Sequence, residues 1–152
     1  MTSKLKSQEK GFTIIEVVLV LAIAGLIFLI VFLALPQLQR SRRDTQRRND
    51  AGRILAELEN YASNNNGDYP ANATAIEAAN GFKERYLAGV TLEDPSTNGT
   101  YDFVDGAPDQ GEIQYDLGST CNGENLQNGD ARDVAVRIKL ESGDVYYCAD
   151  NR

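Results

Sequence analysis

At 152 residues the chain has room for one small globular domain with a single core, which excludes a multi-domain reading. Its formal charge of −7 is unevenly spread: residues 1–59 carry nine Lys/Arg against six Asp/Glu (+3), and residues 60–152 carry six against sixteen (−10). An acidic C-terminal region excludes general nucleic-acid binding through that surface, because phosphate contacts need clustered cations. With no histidine, no Walker-type glycine loop and no nucleophile-elbow pattern, the chain is not expected to be an enzyme, and no cofactor is implied.

The chain opens with a short leader bearing Lys4, Lys6 and Lys10, followed by Gly11, then Phe12-Thr13-Ile14-Ile15-Glu16 and an apolar run. Residues 17–35 are nineteen positions without a charge, enough to cross a hydrocarbon core of ~30 Å at ~1.5 Å per residue. A secretory signal peptide fits poorly, since its apolar part is usually ~7–15 residues and ends at small residues of the A-x-A type. Here the run is longer and ends in Leu-Pro-Gln. A simple single-pass anchor accounts for the length but leaves Glu16 as an uncompensated cost, and an acid in such a segment usually has a partner.

This leader, junction, glutamate and apolar run together resemble the class III signal of type IV pilins and their relatives. The resemblance implies that prepilin peptidase cuts between Gly11 and Phe12 on the cytoplasmic side and N-methylates the new amino terminus of Phe12. It also implies that Glu16 pairs with such a terminus on a neighbouring subunit during assembly. The physical reason is that a bare ammonium and a bare carboxylate are each costly in lipid and relieve one another when paired.

By this reading residues 1–11 are the leader, 12–36 the transmembrane and assembly helix, 37–63 its amphipathic continuation, and 64–152 a globular head. Pro36 removes one helical bond and predicts a local interruption. Beyond it, Ile54, Leu55, Leu58, Tyr61 and Ala62 recur with helical spacing as a face for a sheet to cover. Arg40–Asp44, Asp44–Arg48 and Arg53–Glu57, each four apart, predict supporting ion pairs worth ~0.3–0.5 kcal/mol apiece. Asn64-Asn65-Asn66-Gly67 predicts the helix end. In the resembled family a glycine and a proline bracket a helix segment that can melt in the filament; Gly25 falls at that glycine, while Pro36 lies a few residues later than the usual proline. A plain kink at Pro36 is the alternative.

The cluster Arg40, Arg42, Arg43, Arg47 and Arg48 falls where no apolar stripe is visible between Gln39 and Asp50. It reads as a solvated face, a lipid-headgroup site, a nucleic-acid site or, as the preferred expectation, a surface that meets acidic heads of neighbouring subunits. A plain count of cations would place this flank in the cytoplasm. The leader motif implies the opposite orientation, with the amino terminus cytoplasmic and the head extracytoplasmic.

The expected fold is α+β, a long N-terminal helix packed on a small antiparallel sheet. Gly67-Asp68-Tyr69-Pro70, Tyr86-Leu87 and Asp94-Pro95 through Asn98-Gly99-Thr100-Tyr101 are similar to the loop that joins helix and sheet in pilins and pseudopilins. A short helix is expected over 73–80. Strands are expected over 100–104, 113–117, 134–140 and 145–149, the last two joined by a turn at Glu141-Ser142-Gly143-Asp144. The inner face of that hairpin should cover Leu55, Leu58 and Tyr61 and leave Arg137 and Lys139 in water.

Cys121 and Cys148 are the only cysteines, and two cysteines in an exported domain usually pair. They resemble the C-terminal disulfide loop of many type IV pilins, and with no histidine they make a poor zinc site. Two acidic groups, Asp102, Asp105, Asp109 and Glu112 or Glu124, Asp130 and Asp133, offer oxygen ligands for calcium, which some pseudopilins bind, without the spacing of an EF-hand loop. Asn72-Ala73-Thr74 and Asn98-Gly99-Thr100 are formal glycosylation sequons.

Three functions remain on the sequence. The first is a type IV pilin polymerised into a surface filament for adhesion, motility or DNA uptake. The second is a pseudopilin of a type II secretion or competence system, and the third a monomeric membrane-anchored binding domain. The partners implied are identical or related pilin subunits, prepilin peptidase, the inner-membrane assembly machinery and membrane lipid before assembly, with no specific nucleic acid.

Overall fold

The computed structural model describes residues 11–143 and 145–152, so the leader lysines and Asp144 lie outside the described residues. Helix α1 runs Ile14–Asn64 with Pro36 inside it, so the expected interruption does not end the helix. The chain divides between Leu38 and Gln39 into two units.

In the first unit α1 is long and apolar enough to cross a membrane, and its large apolar side chains are exposed from Phe12 to Leu38. A helix apolar all round has no polar face to give to water, which suits lipid on every side.

In the second unit α1 buries one stripe: Asp44, Arg47, Asp50, Ala51, Ile54, Leu58 and Ala62. The spacings of three and four keep these side chains on one face. The helix ends as its sequence indicates, with Asn66 at φ 59° and the Gly67 N–H donating to the Ala62 carbonyl at 2.7 Å. Asparagine tolerates this left-handed conformation and caps the last turn.

After α1 come α2 (Ala73–Glu77), shorter than expected, and a π-helical turn at Lys83–Leu87. Among the described residues six strands follow: β1 (Asp102–Val104), β2 (Glu112–Leu117), β3 (Ser119–Asn122), β4 (Asn125–Asn128), β5 (Val134–Lys139) and β6 (Tyr146–Asp150). The four expected strands form one sheet in the order β1-β2-β5-β6. β2, β5 and β6 are antiparallel as read from the sequence, whereas β1 lies parallel to β2, making the sheet mixed. The connection Asp105-Gly106-Ala107-Pro108-Asp109-Gln110-Gly111 carries the chain back instead of reversing it, with Gly111 at φ +86°.

The β3–β4 hairpin was not visible in the sequence, because Ser-Thr-Cys-Asn and Asn-Leu-Gln-Asn show no apolar alternation. It is held from outside: the Cys121–Cys148 disulfide ties β3 to β6, and the Asp150 carboxylate accepts the Cys121 N–H at 2.6 Å. Gly129, directly after β4, packs against Asp133 and Thr120, where a Cβ would stand 2.5 Å from an Asp133 oxygen.

The core forms where Ala51, Ile54 and Leu58 of α1 meet Phe103, Ile113, Tyr115, Val134, Val136 and Ile138 of the sheet. Alternation along β5 sends its valines and Ile138 inward and its cations outward. Arg137 and Lys139 are nonetheless not simply wet. Arg137 donates to Gln114 at 2.9 Å and lies 4.5 Å over the Tyr146 ring, and Lys139 pairs with Asp109 at 3.3 Å. Tyr61, Phe82, Tyr86 and Phe103 close the side of the core with ring centroids 5.4 to 6.5 Å apart. Such edge and stacked pairs add ~0.5–1.5 kcal/mol beyond area burial.

Candidate functional site

Gly11 precedes the helix, and the Thr13 carbonyl accepts the first helical bonds from the Glu16 and Val17 amides at 3.1 and 3.3 Å. Glu16 therefore sits in the first turn, where a negative charge complements the unpaired amides and the positive end of the helix dipole. Phe12 is 84% exposed. Phe12, Glu16, Val17, Val20 and Leu21 line a shallow groove of about 350 Å³ on one helix face. Gly11, Phe12 and Glu16 are thus all exposed.

The arginine cluster resolves into three environments. Arg47 is fully buried: its Nε and Nη2 donate to the Asp94 carboxylate at 2.7 and 3.1 Å, and Nη2 also reaches Ser96 Oγ at 2.7 Å. Its Nη1 faces Glu141 at 3.2 Å and Asp44 at 3.4 Å. Arg43 makes a bidentate pair with Glu141 at 2.7 and 2.6 Å. Arg48 lies 4.9 Å from the Tyr147 ring centre, and Arg40 and Arg42 are exposed. The expectation that the whole cluster faces neighbouring heads is thereby corrected: Arg43 and Arg47 are spent on carboxylates of their own head.

The expected ion pairs are rearranged as well. Asp44 accepts the Glu141 N–H at 2.7 Å and the Ser142 hydroxyl, so it staples α1 to the β5–β6 turn instead of bracing Arg40 or Arg48. Arg53 approaches Asp50 at 3.9 Å, not Glu57. Tertiary carboxylates and amides displace weak helix-surface pairs because buried charge-assisted bonds are stronger.

Electrostatics follow from this wiring. Burial alone would raise the Asp94 carboxyl, but hydrogen bonds from Arg47 and Ser96 outweigh it and hold the group at about 2. Burial likewise pushes Asp44 up and is outweighed by bonds from Ser142 and the Glu141 amide, while the bond from Arg43 lowers Glu141. Asp50 goes the other way: burial raises it despite the Tyr101 hydroxyl at 3.2 Å.

The acidic loops do not converge. Asp105 accepts the Ala73 N–H at 2.8 Å, Asp109 meets Lys139, and Asp130 and Asp133 share Arg152 at 2.5 and 2.9 Å. Among the described residues no group of three or more His, Cys, Asp or Glu is arranged to hold a metal ion. Cys121 and Cys148 are joined, with Cα atoms 5.8 Å apart. Of the sequon asparagines, Asn72 caps α2 by accepting the Ala75 N–H at 2.9 Å, and Asn98 is exposed at a turn with φ 53°.

The buried clasp that Arg47 forms with Asp44, Asp94 and Glu141 is not legible from apolar residues alone. The signal available was spacing: Asp44, Arg47, Asp50 and Ala51 continue the stripe of Ile54 and Leu58 in steps of three and four.

The described residues thus combine an α+β head with an N-terminal helix that is long and apolar enough to cross a membrane and carries one acid in its first turn. Residues 6–32 match the family described as the prokaryotic N-terminal methylation motif, the class III signal of type IV pilins. That match, confined to the 27 N-terminal residues it covers, supports a type IV pilin or pseudopilin family protein. Neither curated proteins nor solved structures gave a match to this chain.

Proposed function

We propose that this chain is a type IV pilin subunit, processed between Gly11 and Phe12, N-methylated on Phe12 and polymerised into a surface filament. The observation that carries this reading is the methylation motif over residues 6–32 with Glu16 as the lone acid between Glu9 and Asp44. Prepilin peptidase and the inner-membrane assembly machinery act on the subunit, whose amino terminus is cytoplasmic and whose head is outside. Copies of the chain are the principal partners, and Glu16 sets their register by meeting the Phe12 ammonium of a neighbour. In lipid the two unpaired charges are each expensive, so the paired arrangement selects one axial offset. The disulfide fits a head exposed to an oxidising space.

Intact-mass measurement of the chain from membranes tests processing: loss of residues 1–11 and gain of one methyl group is the expected result, and a retained leader would end this reading. Glu16→Ala should be processed normally yet yield no filaments by electron microscopy. Processed wild-type protein that forms no surface filament would instead favour a pseudopilin.

A further inference from the structure

The neck of α1, residues 37–42, is a short stretch with every side chain exposed and no acid. It lies between the apolar run and Asp44, the first residue buried by the head. We propose that Arg40 and Arg42 bind anionic phospholipid headgroups at the membrane surface on the head side, fixing the depth of the subunit in the bilayer. This inference needs only that α1 crosses a bilayer and does not depend on what the subunit assembles into.

Spacing is the first support. At ~1.5 Å per residue, residues 17–36 span ~30 Å and residues 37–42 a further ~9 Å. The hydrocarbon core is ~30 Å and the polar layer on each side roughly 5–8 Å, so Arg40 at ~6 Å lies within the headgroup layer. Arg42 at ~9 Å lies at its outer edge, its long side chain leaning back toward the helix N-terminus and the headgroups. Direction is the second: two residues apart on an α-helix is a rotation of ~200°, so Arg40 and Arg42 point to opposite sides. A planar headgroup layer surrounds the helix and meets both; a single protein neighbour meets one face.

Accounting for the other cations is the third support. Arg43 and Arg47 are held by Glu141, Asp94 and Asp44, and Arg48 stacks on Tyr147. Arg40 and Arg42 have no anionic partner among the described residues. The −10 of residues 60–152 opposes an anionic surface, but it is spread over a head wider than the ~8–10 Å screening length in physiological salt. The two cations in the headgroup plane therefore dominate locally. Their guanidinium groups match phosphate by paired hydrogen bonds, and their stems cover apolar surface below.

The test places the full chain in nanodiscs of equimolar phosphatidylcholine and phosphatidylglycerol and measures retained lipid by native mass spectrometry after mild release. Phosphatidylglycerol should be enriched about fivefold in wild type, near the effect of one surface arginine. The enrichment should fall to about unity in R40Q/R42Q, survive in R40K/R42K, and weaken with added salt. R48Q, about two turns further along α1, should behave as wild type. No enrichment in wild type, or equal enrichment in R40Q/R42Q, overturns the proposal. Retained enrichment with loss of subunit crosslinking in R40Q/R42Q would also overturn it, in favour of a second copy as the partner.

Discussion

In the first half of α1 the single charge, Glu16, stands among exposed apolar side chains, whereas in the second half Arg47 is fully buried and bonded by Asp94, Ser96, Asp44 and Glu141. One helix therefore carries two opposite relations between charge and environment. Glu16 has no partner within its own chain's described residues and is available to another molecule. Arg47 has four oxygen-bearing partners and is available to none. Charge availability, not charge number, separates the apolar first half of the helix from the half that belongs to the head.

The strongest way to break this contrast is to unpair Arg47. Asp94→Ala leaves a buried guanidinium facing fewer anions and should cost the head about 3–5 kcal/mol, read by urea titration of the full chain in detergent. Asp94→Ala combined with Arg47→Met should cost less than Asp94→Ala alone, because the stranded charge is gone. Parity between the single and double variants would show that the clasp is not coupled.

Next comes the disulfide. Cys121→Ser with Cys148→Ser opens a loop with a sequence separation of 27 and should cost about 3.5 kcal/mol by chain entropy. Hydrogen exchange should rise first in β3 and β4, which have no apolar core of their own. Unchanged exchange there would mean the hairpin is held chiefly by the Asp150 and Gly118 bonds.

A matched pair sharpens the comparison along α1. Leu58→Ala removes a fully buried side chain and should destabilise the head by about 3 kcal/mol, while Leu26→Ala, exposed in the first half, should leave head unfolding unchanged. A comparable loss from Leu26→Ala would show that the two halves are energetically one unit.

The smallest expected effect is the acid limb. Asp94 titrates at about 2 in the folded head against ~3.9 when unfolded, so its contribution is fully present above pH ~4 and lost as pH falls through about 2. Asp44 and Glu141 add in the same sense. Asp50 is raised, so protonating it first removes an unfavourable buried charge and partly offsets the loss on mild acidification. Stability should change little down to pH ~4 and then drop by about 2 kcal/mol by pH ~2. In Asp94→Asn that drop should be visibly shallower.

Much of this architecture is legible in the sequence. The uncharged run over 17–35, the Gly11–Phe12 junction and Glu16 announce themselves because lipid tolerates so few sequences. Ile54, Leu58 and the alternation of Val134, Val136 and Ile138 predict helix and strand by period alone. The β5–β6 hairpin was legible for the same reason, since an apolar face repeats every second residue and a Ser-Gly turn follows. What failed to show were elements defined by distant partners: the parallel placement of β1, the polar β3–β4 hairpin, and the clasp.

The sequence by itself determined the membrane-length apolar run, its one acid and the α+β order, because hydrophobic periodicity and run length are local properties of the chain. Only the tertiary structure decided which arginines are free. Arg40, Arg42, Arg43, Arg47 and Arg48 look alike in sequence, and their difference comes from carboxylates 47 to 98 positions away that folding brings within hydrogen-bond distance of two of them. Long-range pairing of buried charges leaves no local pattern, because each partner alone reads as surface.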